Sequence, residues 1–445
     1  MHAHKDVKRW LTAAAIASSV ALILSACSGS GSGASNAISS DLKEPTTPVT
    51  ITYAGAAYAA DEIQPVLDAF HKEHPNITVK YQSVPFADFN STLATRLGNK
   101  DKTLDVFDVD MPRTDAYAAR GWLADVTPVF GSTLKGKIDP ASINSATVDG
   151  KLLAMPYQTS TNIMYYNKKL LTAAGIPFPN ADPQDRLTWE KVAEDAKKAQ
   201  GAGAKYGLLF DQIDRYYQLQ PLAESAGGGP GATGKGNLNP DVNNKDWVKA
   251  FSWYGSLFAD GISPRGFTAN ETPDVFKGNQ LAYYVGGPWW ASQFEETKDL
   301  DFGVTAFPAF EGGKAVTPTG GWSLGLNPVS AKKDASLIFM KFMGLDNGGY
   351  AQYLTTVPVP PANIQGADNY WKASVFADPR MAGSVELMQY ELAHTATLRL
   401  QTVGYVEFED LTGKAFSDII NGTDAKAALD TANDALKSAW AKYKK

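Results

Sequence analysis

Gly321-Trp322-Ser323-Leu324-Gly325 has the Gly-x-Ser-x-Gly spacing of a serine nucleophile. That chemistry needs a strand, a sharp turn and an immediate helix, with the hydroxyl standing clear of the sheet beside a histidine base. Here Leu324, Leu326 and Asn327-Pro328 continue as a strand and a turn, and His394 is the sole later histidine. The pattern reads as a strand with an aromatic neighbour. Gly229-Pro230-Gly231-Ala232-Thr233-Gly234-Lys235-Gly236 has the glycines of a phosphate cradle. Both phosphate-binding loops of that kind follow a strand, and one needs a hydroxyl for magnesium where Gly236 stands. It reads as a surface loop. His71 and His74 are spaced to pinch a metal from one helix face, but no third ligand lies nearby. No catalytic centre, metal or cofactor is expected.

The elements that would position a site follow a regular order. Val49 to Tyr53 alternates as a strand, and Ile63, Val66, Leu67 and Phe70 recur at helical spacing. Ile77 to Tyr81 reads as a second strand, Phe86 to Leu97 as a helix, and Asp105 to Val109 as a third strand. A β-α-β-α-β order predicts a parallel sheet covered by helices. Ligands of such sheets sit at the carboxyl ends of the strands, which makes Tyr58 and Asp110 candidates on position alone. Further on, Thr188 is placed to cap a helix over Trp189 to Ala199, and the last hundred residues are mostly helical.

The chain has 445 residues, 44% of them apolar, which excludes intrinsic disorder. Its formal charge of -6 lacks the basic footprint of a nucleic-acid binder. Ten Trp, nineteen Tyr and twenty Phe suit either a large core or a stacking groove, so the count alone decides nothing. Lys5, Lys8 and Arg9 precede an uncharged run from Trp10 to Ala26, the layout of an export signal. Leu24-Ser25-Ala26-Cys27 looks like the lipobox of bacterial lipoproteins, in which Cys27 would become the acylated first residue. Acyl chains hold a protein at a membrane through buried methylenes. Cys27 is the sole cysteine, so no disulfide within the chain is possible. Losing residues 1–26 removes three basic residues and one acid, leaving 38 against 46 and a charge of -8. Ser28 to Gly33 then reads as a flexible tether.

Lys151-Leu152-Leu153-Ala154-Met155-Pro156-Tyr157, followed by Tyr165-Tyr166-Asn167-Lys168-Lys169-Leu170, is a recurrent signature. With Thr188-Trp189-Glu190, Gln280 to Tyr283, Gly287-Pro288-Trp289 and Gly320-Gly321-Trp322 in that order, the chain resembles the extracellular solute-binding proteins of ABC importers. The likeness is to the maltose- and trehalose-binding branch. It implies two discontinuous α/β lobes joined by a hinge and closing on ligand like a clamshell. The expected division is a signal peptide at 1–26, a tether at 27–47, one lobe from 48–155 and 302–345, and another from 156–301 and 346–445.

The same resemblance implies the ligand contacts. Asp110 suits a bidentate grip on neighbouring sugar hydroxyls, and the aromatic after Gly-Pro falls on Trp289, with Trp290 as the adjacent alternative. Gly321 and Trp322 offer a backbone donor beside an indole, and Arg399 falls where relatives carry an arginine. Tyr58 follows the first strand, with Asp61 or Glu62 as the alternative there, and Tyr157 lies by a crossing. The expected function is capture of a disaccharide or short oligosaccharide for the importer's membrane subunits. The protein is expected to be a non-enzymatic monomer, lipid-anchored on the extracellular face of the cell membrane. The rival readings are a secreted glycoside hydrolase and a binder of a non-sugar solute.

Mass spectrometry of the native N-terminus should find a lipidated Cys27 as the first residue. A retained Met1 would contradict the lipobox reading.

Overall fold

The computed structural model describes residues 38–444 other than 57 and 355. The expected signal peptide, Cys27 and the first part of the tether lie outside the described residues. Strands that bear on the site are β1 (Val49–Gly55), β2 (Ile77–Ser83), β3 (Val106–Asp110), β4 (Met155–Pro156), β5 (Ile163–Asn167), β6 (Tyr206–Phe210), β7 (Leu281–Gly286), β8 (Phe302–Thr305) and β9 (Trp322–Leu326). The principal helices are α1 (Ala60–Glu73), α2 (Phe86–Gly98), α3 (Trp189–Gly201), α4 (Tyr216–Ser225), α5 (Lys245–Ala259), α6 (Lys333–Gly344), α7 (Tyr405–Ile420) and α8 (Ala425–Trp440).

The strands form two sheets, one for each lobe of the expected α/β architecture. The first runs β2-β1-β3-β9-β4, and the second runs β8-β5-β7-β6. In the first, β1 lies parallel to β2 and β3, as the β-α-β-α-β reading predicts. The late strand β9 returns antiparallel to β3 and places Trp322 opposite Asp110. Helix α1 buries the predicted face of Ile63, Val66, Leu67 and Phe70. In the second sheet β7 pairs antiparallel with β5 and parallel with β6. The Thr188 hydroxyl caps α3 by accepting from the Lys191 amide at 3.1 Å.

Much of the aromatic content is core. Tyr165 packs edge-on against Phe294 at 5.0 Å between ring centroids, and Trp189 stacks on Phe210 at 5.3 Å. Trp247 and Trp440 are likewise fully buried in the second lobe. Tilted and edge-on ring pairs of this kind add to the burial of large apolar faces.

Three boundaries differ from those expected. Phe302 to Thr305 was expected in the first lobe, but β8 pairs with β5 in the second sheet. The reason is local: Phe302 joins the Tyr165, Phe276 and Phe294 cluster, while the absent side chain of Gly303 admits the Tyr166 ring. The return to the second lobe also comes later than Leu345, because Tyr350 and Ala362 pack into the first lobe's core. Residues 38–47 are not free tether. Ile38 and Leu42 pack against the first core, and the Glu44 carboxylate meets His74 Nδ1 at 2.6 Å.

The chain passes between the lobes in adjacent extended segments. Ser160 pairs with Gly320, and Gln158 pairs with Pro361. The Thr159 amide donates to the Pro360 carbonyl at 2.8 Å. These segments form the floor of the cleft.

Candidate functional site

A cavity of about 290 Å³ opens over those crossing segments. Its lining includes six of the eight expected ligand residues: Asp110, Trp289, Trp290, Gly321, Trp322 and Arg399. The strand-end rule accounts for most of them. Asp110 ends β3, Trp322 begins the antiparallel β9 beside it, and Trp289 and Trp290 follow β7. Arg399 is placed by a short parallel pairing, in which Leu398 sits opposite Thr319 and brings the arginine beside Gly320. A side chain at Gly320 would meet Arg399 Nη2 at 3.0 Å. Gly321 has a different reason to lack one: a Cβ there would lie 2.3 Å from the Gln158 carbonyl oxygen.

Asp110 and Arg399 form a two-pronged ion pair. Nη1 donates to Oδ2 at 2.8 Å and Nη2 donates to Oδ1 at 2.5 Å. Both side chains are only 5% exposed. Burial works against the Arg399 charge, yet Asp110 beside it holds the guanidinium above its ordinary pKa. The expected grip of Asp110 on sugar hydroxyls is therefore already partly taken by a guanidinium from the other lobe. A carboxylate has about four lone-pair sites, so two remain for further donors. Arg399 also lies over the Tyr217 ring at 5.0 Å, and its buried Nε has no hydrogen-bond partner among the described residues.

More contacts join the lobes around this pair. Arg113 and Glu409 form a close ion pair, and Arg215 of the second lobe covers the Phe86 ring of the first at 4.3 Å. Glu409 is buried, but Arg113, Arg215 and Arg399 together keep its pKa below the ordinary value.

The three indoles are only partly buried, unlike the core tryptophans. Trp322 stands edge-on to Phe89 at 5.6 Å, and Trp289 tilts toward Tyr217 at 6.3 Å. Gly287 makes room for the first of the paired rings: a Cβ there would fall 2.0 Å from Trp289 Cζ3. The glycine before these tryptophans is thus a steric condition for the ring to lie back on its own backbone.

Two expected residues do not line the cavity. Tyr58 is buried in the first lobe's core, where its hydroxyl accepts from Gln158 Nε2 at 2.8 Å. Tyr157 is buried beside it and donates to Asp108 Oδ1 at 2.9 Å. Tyr58 thus supports Gln158, which does line the cavity. Asp61 and Glu62 are exposed in the first turn of α1, where Glu62 accepts from the Ala59 amide at 2.8 Å. Ser323 lies inside β9, with Leu324 to Leu326 continuing the strand, so no nucleophile elbow forms. His71 Nδ1 faces the Ile77 carbonyl at 2.9 Å, and His74 faces Glu44.

Asp211, Gln212, Arg215 and Tyr217 also line the cavity and were not expected. The signal for Asp211 was available, because it directly follows the apolar strand β6, much as Asp110 ends β3. Asp211 Oδ2 accepts from Trp289 Nε1 at 3.0 Å, and Oδ1 accepts from the Tyr284 hydroxyl at 3.0 Å. Burial pushes its carboxyl up to about 6, and the hydrogen bonds it accepts limit the rise. Gln212 Oε1 is buried without a partner among the described residues. The cavity wall therefore combines apolar ring faces with the polar side chains of Asp110, Gln212 and Arg399. That combination binds a neutral polyhydroxylated molecule by stacking and hydrogen bonding.

A family model described as bacterial extracellular solute-binding protein matches residues 56–348. The maltodextrin-binding protein MdxE of Bacillus subtilis is 28% identical over 431 residues, covering 94% of this chain and 94% of that protein. A galactooligosaccharide-binding protein of the same organism is 26% identical, covering 84% of this chain and 86% of its own. Among solved structures, the ABC substrate-binding protein Lmo0181 from Listeria monocytogenes, in complex with cycloalternan, has a TM-score of 0.76. It is 22% identical and covers 88% of this chain and 98% of that one. Maltose-bound T. maritima MalE3 has a TM-score of 0.73 at 21% identity, covering 87% of this chain and 99% of that one. At these identities the two structures speak for the fold, a two-lobed α/β clamshell.

Two outcomes follow from the geometry. Asp110→Ala strands a buried guanidinium and should lower unfolding free energy by about 3–5 kcal/mol. Asp110→Ala with Arg399→Met should recover part of that loss; denaturant titration showing an unchanged single variant would contradict the pairing. For Asp211 the folded pKa lies above the unfolded value, so the folded state holds the extra proton and stability falls as pH rises from about 4 to about 6. Relative to Asp211→Asn, the native chain should lose about 2 kcal/mol between pH 4 and pH 7. A stability gap independent of pH would overturn that reading.

Proposed function

The chain belongs to the bacterial extracellular solute-binding proteins, and from that premise we propose that it captures a carbohydrate and delivers it to an ABC importer. The ligand on this reading is a disaccharide or short oligosaccharide held between the lobes. The observation that carries it is the cavity wall itself: three partly exposed indoles around a buried Asp110–Arg399 pair. An indole face against the apolar side of a pyranose removes area from water, while the polar side chains of Asp110, Gln212 and Arg399 line the same cavity. Two of its relatives are named for maltodextrin and galactooligosaccharide, which are of this chemical class.

A binder is favoured over a hydrolase by what the cavity carboxylates already do. Asp110 is paired with a guanidinium, and Asp211 holds an indole. Neither is placed as an unengaged acid or base. We assign the ligand contacts to Asp110, Trp289, Trp290, Gly321, Trp322 and Arg399, adding Gln212 from the geometry. Tyr58 acts beneath them through Gln158, and Tyr157 is held in the first lobe's core by Asp108. The leader reading adds a monomer anchored through acylated Cys27 on the outer face of the cell membrane, working at the end of its tether.

Incubation of the purified chain with a sugar panel tests the proposal. One or more sugars should raise the melting temperature without being turned over, because a ligand that binds only the folded state stabilises it by mass action. Trp289→Ala should weaken that sugar about tenfold, the equivalent of ~1.4 kcal/mol, in calorimetric titration. Release of a hydrolysis product would favour the glycosidase instead. Stabilisation by a non-sugar solute alone would redirect the ligand class.

A further inference from the structure

We propose that Asp211 is the positioning residue that sets the plane of the Trp289 indole in the cavity wall. Trp289 is only partly buried, so packing alone does not choose one ring orientation. Two constraints do. One is steric: the ring lies back over Gly287, whose missing side chain leaves the space it occupies. The other is directional, because the indole has one N–H and Asp211 Oδ2 accepts it at 3.0 Å.

Asp211 is itself held on several sides. Its amide donates to the Val285 carbonyl at 2.8 Å, tying it to the strand that leads into Gly287-Pro288-Trp289. Its Oδ1 accepts from the Tyr284 hydroxyl at 3.0 Å and from Thr272 Oγ1 at 3.3 Å. Tyr284 and Thr272 are both fully buried, so the carboxyl cannot swing without breaking buried hydrogen bonds. The result is a chain of contact from the sheet, through a carboxyl group, to the edge of a stacking platform. Asp211 therefore acts on the ligand through Trp289.

This role has a distinctive chemical signature. An asparagine can present its amide oxygen to the indole and its NH₂ to Tyr284 and Thr272, whose hydroxyls can accept. Asn should therefore keep the ring in place, although it carries no charge. An alanine supplies no acceptor. If the Asp211 charge met the ligand directly, Asn and Ala would fail alike.

The affinity arm rests on the sugar reading; the spectroscopic arm does not. Using the sugar that best stabilises the native chain, Asp211→Ala should lose about tenfold in affinity while Asp211→Asn stays within about threefold. In a Trp289→Phe background, which removes the N–H, adding Asp211→Ala should cost under about threefold more. Without any sugar, the Trp289 fluorescence is read as the difference between each chain and its Trp289→Phe counterpart. That contribution should shift in Asp211→Ala and stay unshifted in Asp211→Asn. Equal losses in Asn and Ala, an undiminished Ala cost in the Phe background, or an unshifted Trp289 signal in Asp211→Ala would each overturn the proposal. If no sugar binds the native chain, the sugar reading fails and the fluorescence arm still decides the role of Asp211.

Discussion

A carboxylate and a guanidinium that are both buried must find each other, and here they lie 289 residues apart. Asp110 ends a strand of the first sheet, and Arg399 emerges from a short pairing at the edge of the second lobe. Neither charge would be tolerable in its position alone, because the desolvation of an unpaired buried ion costs several kcal/mol. The pair therefore ties the relative placement of two sheets to a single contact on the cleft floor. The Arg113–Glu409 pair and the Arg215–Phe86 contact join the same two lobes. A guanidinium from one lobe and a carboxylate from the other also leave the floor polar and the walls aromatic, which is the chemistry a sugar needs.

The site is built by one rule applied repeatedly. Strand ends deliver Asp110, Asp211, Trp322 and the Trp289-Trp290 turn to the same rim, and glycines remove the side chains that would block the rings or the crossing backbone. Rigid elements hold these groups, while the crossing segments at 158–160, 319–321 and 360–361 pair with one another beneath them. Separating the lobes would expose two opposite charges to water, where they are well solvated.

The first lobe was largely legible, because local alternation and helical spacing there match parallel pairing without conflict. Asp110, Trp289, Trp290, Gly321, Trp322 and Arg399 could be brought to one rim from strand ends and family likeness. Tyr58 shows the limit of position alone: a residue after a strand can turn inward, and its ring packs against Tyr350 instead. Asp211 was overlooked although it obeys the same rule as Asp110. Nothing in its neighbouring residues reveals the Trp289 indole that it holds from 78 positions away. The lobe boundaries near Phe302 and Leu345 were misplaced for a related reason. Which sheet a short apolar strand joins depends on aromatic partners distant in sequence, such as Phe276 and Phe294.

The central claim is that a sugar binds between the lobes on these particular groups. A crystal structure of the chain with the sugar that stabilises it best tests this most directly. The account predicts a pyranose ring lying against at least one of Trp289, Trp290 and Trp322. Its hydroxyls should be within hydrogen-bond reach of Arg399 or Gln212, above an intact Asp110–Arg399 pair. A sugar seated elsewhere on the chain, with the cleft residues untouched, would contradict it.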